Sequence, residues 1–187
     1  FTLIAAVGLT VGVAVSRLMP EPEGTPEEQL IKRLASDRAS ALQDVLNRGL
    51  EVTGPRVPGA LALANMLLLL EHGGDEGHLQ NAEDSLAQTD TAGKNTPEAL
   101  LARALLADTP LANPDPELKS DLERAANDEA SRDDPFVLMA LAERAGTEEE
   151  VLDALTRAAF AKDAPVRALH KLARAHAARG EHQLALD

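Results

Sequence analysis

The sequence predicts an all-α chain: one membrane-crossing helix, then stacked helix–turn–helix repeats forming an α-solenoid. Three observations carry that expectation. Apolar residues make up 44% of the 187 positions, yet the chain has three Phe and no Trp or Tyr. The apolar positions are mostly Ala and Leu, the strongest helix formers, and the β-branched and aromatic residues that favour strands are scarce beyond residue 20. Finally, from Pro58 onward one pattern recurs: a proline, an Ala/Leu-rich segment, a turn, and a second amphipathic segment.

The first element is FTLIAAVGLTVGVAVSRLM, residues 1–19. No residue from Phe1 to Ser16 is charged, and the stretch is apolar all round rather than along one stripe. As a helix those residues span roughly 24 Å, Arg17 snorkelling beyond them, against a bilayer core about 30 Å thick. Gly8 and Gly12 stand in a G-x-x-x-G spacing that lets a neighbouring span approach closely, which makes them the candidate helix-packing residues. The flank after Arg17 is acidic, so positive-inside bias puts the following domain on the periplasmic or exterior side. The same stretch also resembles another family. Phe1-Thr2-Leu3-Ile4 is similar to the mature N-terminus of type IV pilin-like proteins, although that family has Glu where this chain has Ala5. The resemblance implies a pilin-like subunit as one alternative role.

Pro20, Pro22 and Gly24 break the first helix and leave a linker over residues 20–25. Thr25-Pro26-Glu27-Glu28 then reads as a helix start, with Thr25 at the N-cap, Pro26 at the first position and Glu28 closing a capping box. Leu30, Ile31, Leu34, Ala41, Leu42, Val45, Leu46 and Leu50 follow at three- and four-residue spacing. They predict one amphipathic helix within residues 26–53, leading into the repeats.

The repeats occupy residues 58–187. Their first helices open at Pro58, Pro97, Pro135 and Pro165, so the units start 39, 38 and 30 residues apart. Second helices follow over EGHLQNAEDSLAQT, PELKSDLERAANDEA, TEEEVLDALTRAAFAK and EHQLALD. Thr96, Asp134 and Asp163 lie at or just before helix starts, and Thr147 with Glu150 makes a second capping box after Gly146. No unit of this size buries its apolar face alone, so neighbours must stack. The chain begins at Phe1 and stops within a helical pattern, as expected of a window on a longer protein.

At the last unit the pattern becomes specific. VRALHKLARAHAARGEHQLAL resembles a tetratricopeptide (TPR) repeat: Leu169, Leu172, Ala173, Ala175 and His176 fill the first-helix positions, Gly180 the turn, and Ala185 the crossing of the second helix. The match spans about twenty residues and loosens over 58–161. The resemblance implies a TPR-like solenoid whose first helices line a concave surface that takes peptides or partner helices. The basic residues with which some members clamp a carboxylate have no counterpart here.

Composition narrows the role. A net charge of −13 opposes nucleic-acid binding, which needs cations against phosphates and, for single strands, aromatic platforms. With no Cys, there is no disulfide, thiolate metal site or thiol nucleophile. Glu71, His72, Asp75, Glu76 and His78 crowd into EHGGDEGH with imidazole and carboxylate groups that suit zinc or nickel, but the spacing fits an exposed turn better. His170, His176 and His182 recur every six residues, which puts successive ones on different helix faces. Glu148, Glu149 and Glu150 complement a helix N-terminus, as do Asp133 and Asp134. No nucleophile elbow, phosphate loop or HExxH pattern is present.

These readings converge on a non-enzymatic, cofactor-free, membrane-anchored scaffold whose partners are other protein subunits, in a membrane or cell-envelope complex. The alternative is a periplasmic TPR-type chaperone or biogenesis factor.

Overall fold

The computed structural model describes residues 24–89, 93–110, 114–181 and 185. The anchor expected over residues 1–19, with Gly8 and Gly12, lies outside them. Among the described residues the fold is all-α, with no strand and with no helix long and apolar enough to cross a membrane. In order the helices are α1 (Pro26–Leu34), α2 (Ala39–Gly49), α3 (Val57–Glu71), α4 (Glu76–Ala87), α5 (Pro97–Leu106), α6 (Leu118–Asn127), α7 (Pro135–Arg144), α8 (Glu148–Ala159) and α9 (Val166–Ala178). A short 3₁₀ turn over Gly93–Asn95 precedes α5.

The local signals place most helix starts. Thr25 accepts from the Glu28 amide at 3.2 Å and the Glu28 carboxylate accepts from the Thr25 amide at 2.8 Å. Thr147 and Glu150 repeat that box at α8. Asp134 caps α7 by accepting from the Phe136 amide at 2.9 Å. Gly180 takes the left-handed turn conformation expected after α9, at φ +77°. Two expectations change. Asp163 sits in the left-handed region at φ +59°, and Pro165, not Asp163, occupies the N-cap of α9. The single helix expected over residues 26–53 is two, α1 and α2. Ser36 donates to the Arg33 carbonyl, and Asp37 turns left-handed at φ +51°, a conformation Asp tolerates better than most residues. The corner lets Leu30 and Leu34 of α1 and Leu42 and Val45 of α2 reach the core together.

Helices α3, α5 and α7 pack side by side as a central row, and the others cover them. The burial patterns divide accordingly. Every residue of α5 from Glu98 to Leu105 is buried, as is every residue of α7 from Pro135 to Ala140, and α3 is buried on all sides through Leu68 except at Pro58 and Leu61. The outer helices bury one stripe each, such as Ala154, Leu155 and Ala158 on α8. A fully buried Leu63, Leu100 or Leu138 contributes about 1.5–3 kcal/mol relative to exposure.

Small residues set the spacing of the central row. A Cβ placed on Gly59 of α3 would lie 2.8 Å from the Ala99 amide nitrogen and 2.9 Å from the Thr96 hydroxyl of α5. Gly59→Val is therefore expected to destabilise by about 1–3 kcal/mol through overpacking. A urea midpoint equal to that of the parent would show that the two helices can separate freely.

The helices pack in an order compatible with a helical repeat, but α9 adds a contact that an open stack lacks. The Val166 amide donates to the Ala35 carbonyl at 3.2 Å, and the Arg167 guanidinium pairs with Glu71 at 2.9 Å. In a one-dimensional solenoid each unit touches only its neighbours. Here the start of the last helix lies against the corner of the first hairpin and the end of α3. Arg167 and Ala168 are buried there. Burial raises the Asp37 carboxyl above its ordinary value, against the pull of Arg167, His72 and His170.

A candidate docking cleft

The surface expected to bind partners was the row of first helices. Of those helices α3, α5 and α7 are buried on nearly every side, whereas α9 buries only Arg167 and Ala168, and a further open surface lies between second helices. Helix α6 packs on α5 and α7, and α8 packs on α7 and α9. Between α6 and α8 runs a cleft of about 980 Å³. Its floor is apolar: Ala107 after α5, Leu118 and Leu122 from α6, Leu141 from α7, and Ala154 from α8. Its walls are charged, with Lys119 and Glu123 on the α6 side and Glu150, Asp153 and Arg157 on the α8 side, while Arg144 of α7 also lines it.

Each wall is held by named interactions. On the α6 side, Arg103 of α5 is the anchor. Its Nε donates to Asp115 at 2.7 Å and its Nη1 to Asp121 of α6 at 2.9 Å and to the Lys94 carbonyl at 3.1 Å. Asp115 in turn accepts from the Glu117 and Leu118 amides, both at 3.1 Å, at the start of α6. The hydrogen bond from Arg103 holds the Asp115 carboxyl below its ordinary value, despite partial burial. Burial alone would lower the Arg103 guanidinium, and Asp115 and Asp121 more than offset it.

On the α8 side, Arg157 donates to Asp133 at 2.8 Å and to the Arg132 carbonyl at 3.1 Å. That bond keeps Asp133 below its ordinary value. At the other end of α8, one Glu150 oxygen accepts from the Gly146 and Thr147 amides.

These pairings decide the charge the cleft presents. Arg144 is taken up by Asp108 at 2.9 Å and Arg157 by Asp133, both carboxylates outside the cleft lining. Asp115 is neutralised by Arg103. Glu123, Glu150 and Asp153 then remain against Lys119, and only contacts of 4.0 Å link Lys119 to Glu123 and Arg157 to Asp153. The walls are acidic on balance.

The residues singled out in EHGGDEGH disperse. Glu71 pairs with Arg167, Asp75 caps α4 by accepting from the Gly77 amide at 3.1 Å, and His78 Nδ1 meets Asn65 Oδ1 at 2.9 Å. His72 ends α3, and Glu76 opens α4. Among the described residues no group of three His, Asp or Glu is placed to hold a metal ion. His170 is exposed, His176 Nδ1 meets Glu181 at 2.7 Å, and His182 lies outside the described residues.

A second buried pair escaped sequence reasoning. Glu98 of α5 is fully buried and is held by Arg56, whose Nε lies 3.1 Å from Glu98 Oε2 and whose Nη2 donates to Oε1. Burial pushes the Glu98 carboxyl above its ordinary value, and Arg56 offsets part of that push. The available signal was the placement of Glu98 and Arg103 as the two charges inside PEALLARALL. An ion in an otherwise apolar, wholly buried helix requires a partner.

Compared with protein-family models, curated proteins and solved structures, the chain matches none.

Proposed function

We propose that this chain is a membrane-tethered protein–protein interaction scaffold, a non-catalytic accessory or structural subunit of a membrane or cell-envelope complex. Residues 1–19 are the single-pass anchor. The helical body, TPR-like in sequence at its last unit, stands on the periplasmic or exterior side and does the recruiting. The observation that carries this reading is the α6–α8 cleft: an apolar floor with charged walls, of a size that admits a segment of another protein. The all-round apolar N-terminal stretch supports the tether. The buried ions Glu98, Arg103 and Asp121 and the half-buried Arg56 are engaged in pairs that join helices, which is a structural use.

Gentle detergent extraction of the full chain, followed by sizing and mass spectrometry, tests the reading. The expected result is extraction only with detergent, together with a discrete set of subunits in fixed ratio. Release without detergent as a lone chain would overturn both the tether and the scaffold.

A further inference from the structure

We propose that the occupant of the α6–α8 cleft is a basic amphipathic helix of another protein, seated over about two turns. This rests on the scaffold reading and adds the partner's chemistry to it. Three features of the cleft point there. First, both walls are helical, lined by residues 118–123 of α6 and 150–157 of α8, so they flank roughly 9–12 Å of the cleft, about two helical turns. Second, the floor is apolar, with the half-buried Ala107, Leu141 and Ala145 beside the buried Leu122 and Ala154, which suits the stripe of an amphipathic helix. Third, the wall cations Arg144 and Arg157 are satisfied by carboxylates outside the lining, whereas Glu123 and Asp153 have no ion-pair contact closer than 4.0 Å among the described residues. Lys or Arg on the flanks of an incoming helix would meet Glu123 on one side and Glu150 and Asp153 on the other. A second copy of this chain is a poorer occupant, because each copy carries a net charge of −13.

The probe is a labelled 14-residue Leu/Lys peptide with Leu at i, i+3, i+4 and i+7 spacing. Binding is read by fluorescence anisotropy to the full chain in phosphatidylcholine nanodiscs, with empty discs as the blank. In Glu123→Lys/Asp153→Lys the affinity should fall about ten-fold or more, since two rim attractions become repulsions. Both side chains are well exposed, at 64% and 73%, so the fold tolerates the change. The control Glu51→Lys/Glu129→Lys makes the same change in net charge at exposed positions outside the cleft and should stay within about two-fold of the parent. A peptide with Ser in place of Leu should bind about ten-fold more weakly, because the apolar floor is then unused.

Equal losses in the two double variants would overturn the inference, as would equal binding of a Leu/Glu peptide. If the Leu/Lys peptide fails while extraction still yields fixed subunits, the basic-helix inference falls and the scaffold stands. If the peptide binds with the expected pattern while the chain extracts alone, the cleft assignment holds and membership of a complex falls.

Discussion

Arg56→Met should cost about 3–5 kcal/mol of stability at neutral pH, one of the two largest losses expected from a single substitution. The reason lies in what stays behind. Glu98 is fully buried in α5, and without the Arg56 guanidinium its charge has neither solvent nor counter-ion. The double variant Arg56→Met/Glu98→Leu should recover most of the loss, because an apolar pair fits where an unpaired ion does not. The pH dependence follows from the direction of the Glu98 shift. Burial holds its folded-state value above the ordinary Glu range, so the neutral acid is the form the interior favours. Stability linked to a group raised in this way is fully present below its unfolded value and is lost as pH rises through the folded value. The deficit of Arg56→Met should therefore shrink on acidification towards the ordinary Glu range. Urea titrations at several pH values would check it. A deficit under about 1 kcal/mol at pH 7 would mean that Glu98 reaches water or another partner.

Arg103→Met should produce a loss of similar size, about 3–5 kcal/mol, with its recovery in acid displaced to lower pH. Arg103 ties α5 to α6 through Asp121, to the segment before α6 through Asp115, and to the 3₁₀ turn through the Lys94 carbonyl. Its removal leaves Asp121, whose side chain is 8% exposed, with only the largely exposed Arg124 as an ion-pair partner among the described residues, at 2.9 Å. Asp115 differs from Glu98 in that its folded-state value is lowered, first by the hydrogen bond from Arg103. Stability linked to a lowered carboxylate is present above its unfolded value, about 3.9, and is lost as pH falls through the folded value. The parent should therefore lose this contribution only below about pH 4, and the gap between parent and variant should close there. The two substitutions thus separate by pH window: the Arg56 deficit shrinks at and above the ordinary Glu range, the Arg103 deficit below the ordinary Asp range. A gap that stays constant from pH 7 to pH 3 would show that Asp115 does not depend on Arg103.

Helix starts were legible because their causes are local. Thr25-Pro26, Asp134-Pro135 and the box of Thr147 with Glu150 act within four residues, and the structure places each at a helix N-terminus. The break between α1 and α2 was not legible, since Ala35-Ser36-Asp37-Arg38 contains neither Gly nor Pro. It is imposed by the need to turn two apolar stripes onto one core. The ion pairs were hidden by distance along the chain: Arg56 and Glu98 lie 42 positions apart, and Arg103 and Asp121 lie 18 apart. The cleft was hidden for a different reason. Periodicity shows that α6 and α8 are amphipathic, but not that they stand apart over α5 and α7. The same limit hid that three of the first helices, α3, α5 and α7, carry near-continuous apolar runs because they are buried on nearly all sides.

The hydrogen bond between Val166 and Ala35 also bears on how the molecule comes into being. A stack of repeats can fold as it is synthesised, each unit docking on the one before. Here the carbonyl of Ala35 and the buried face of Asp37 wait for a strand of chain made roughly 130 residues later, so a long loop must close before the contact repays its entropy. At typical synthesis rates of about 5–20 residues per second, the first hairpin spends roughly 7–26 seconds with that corner uncovered. During that interval the corner is open to chaperones and to other nascent chains, and the arrival of α9 ends it.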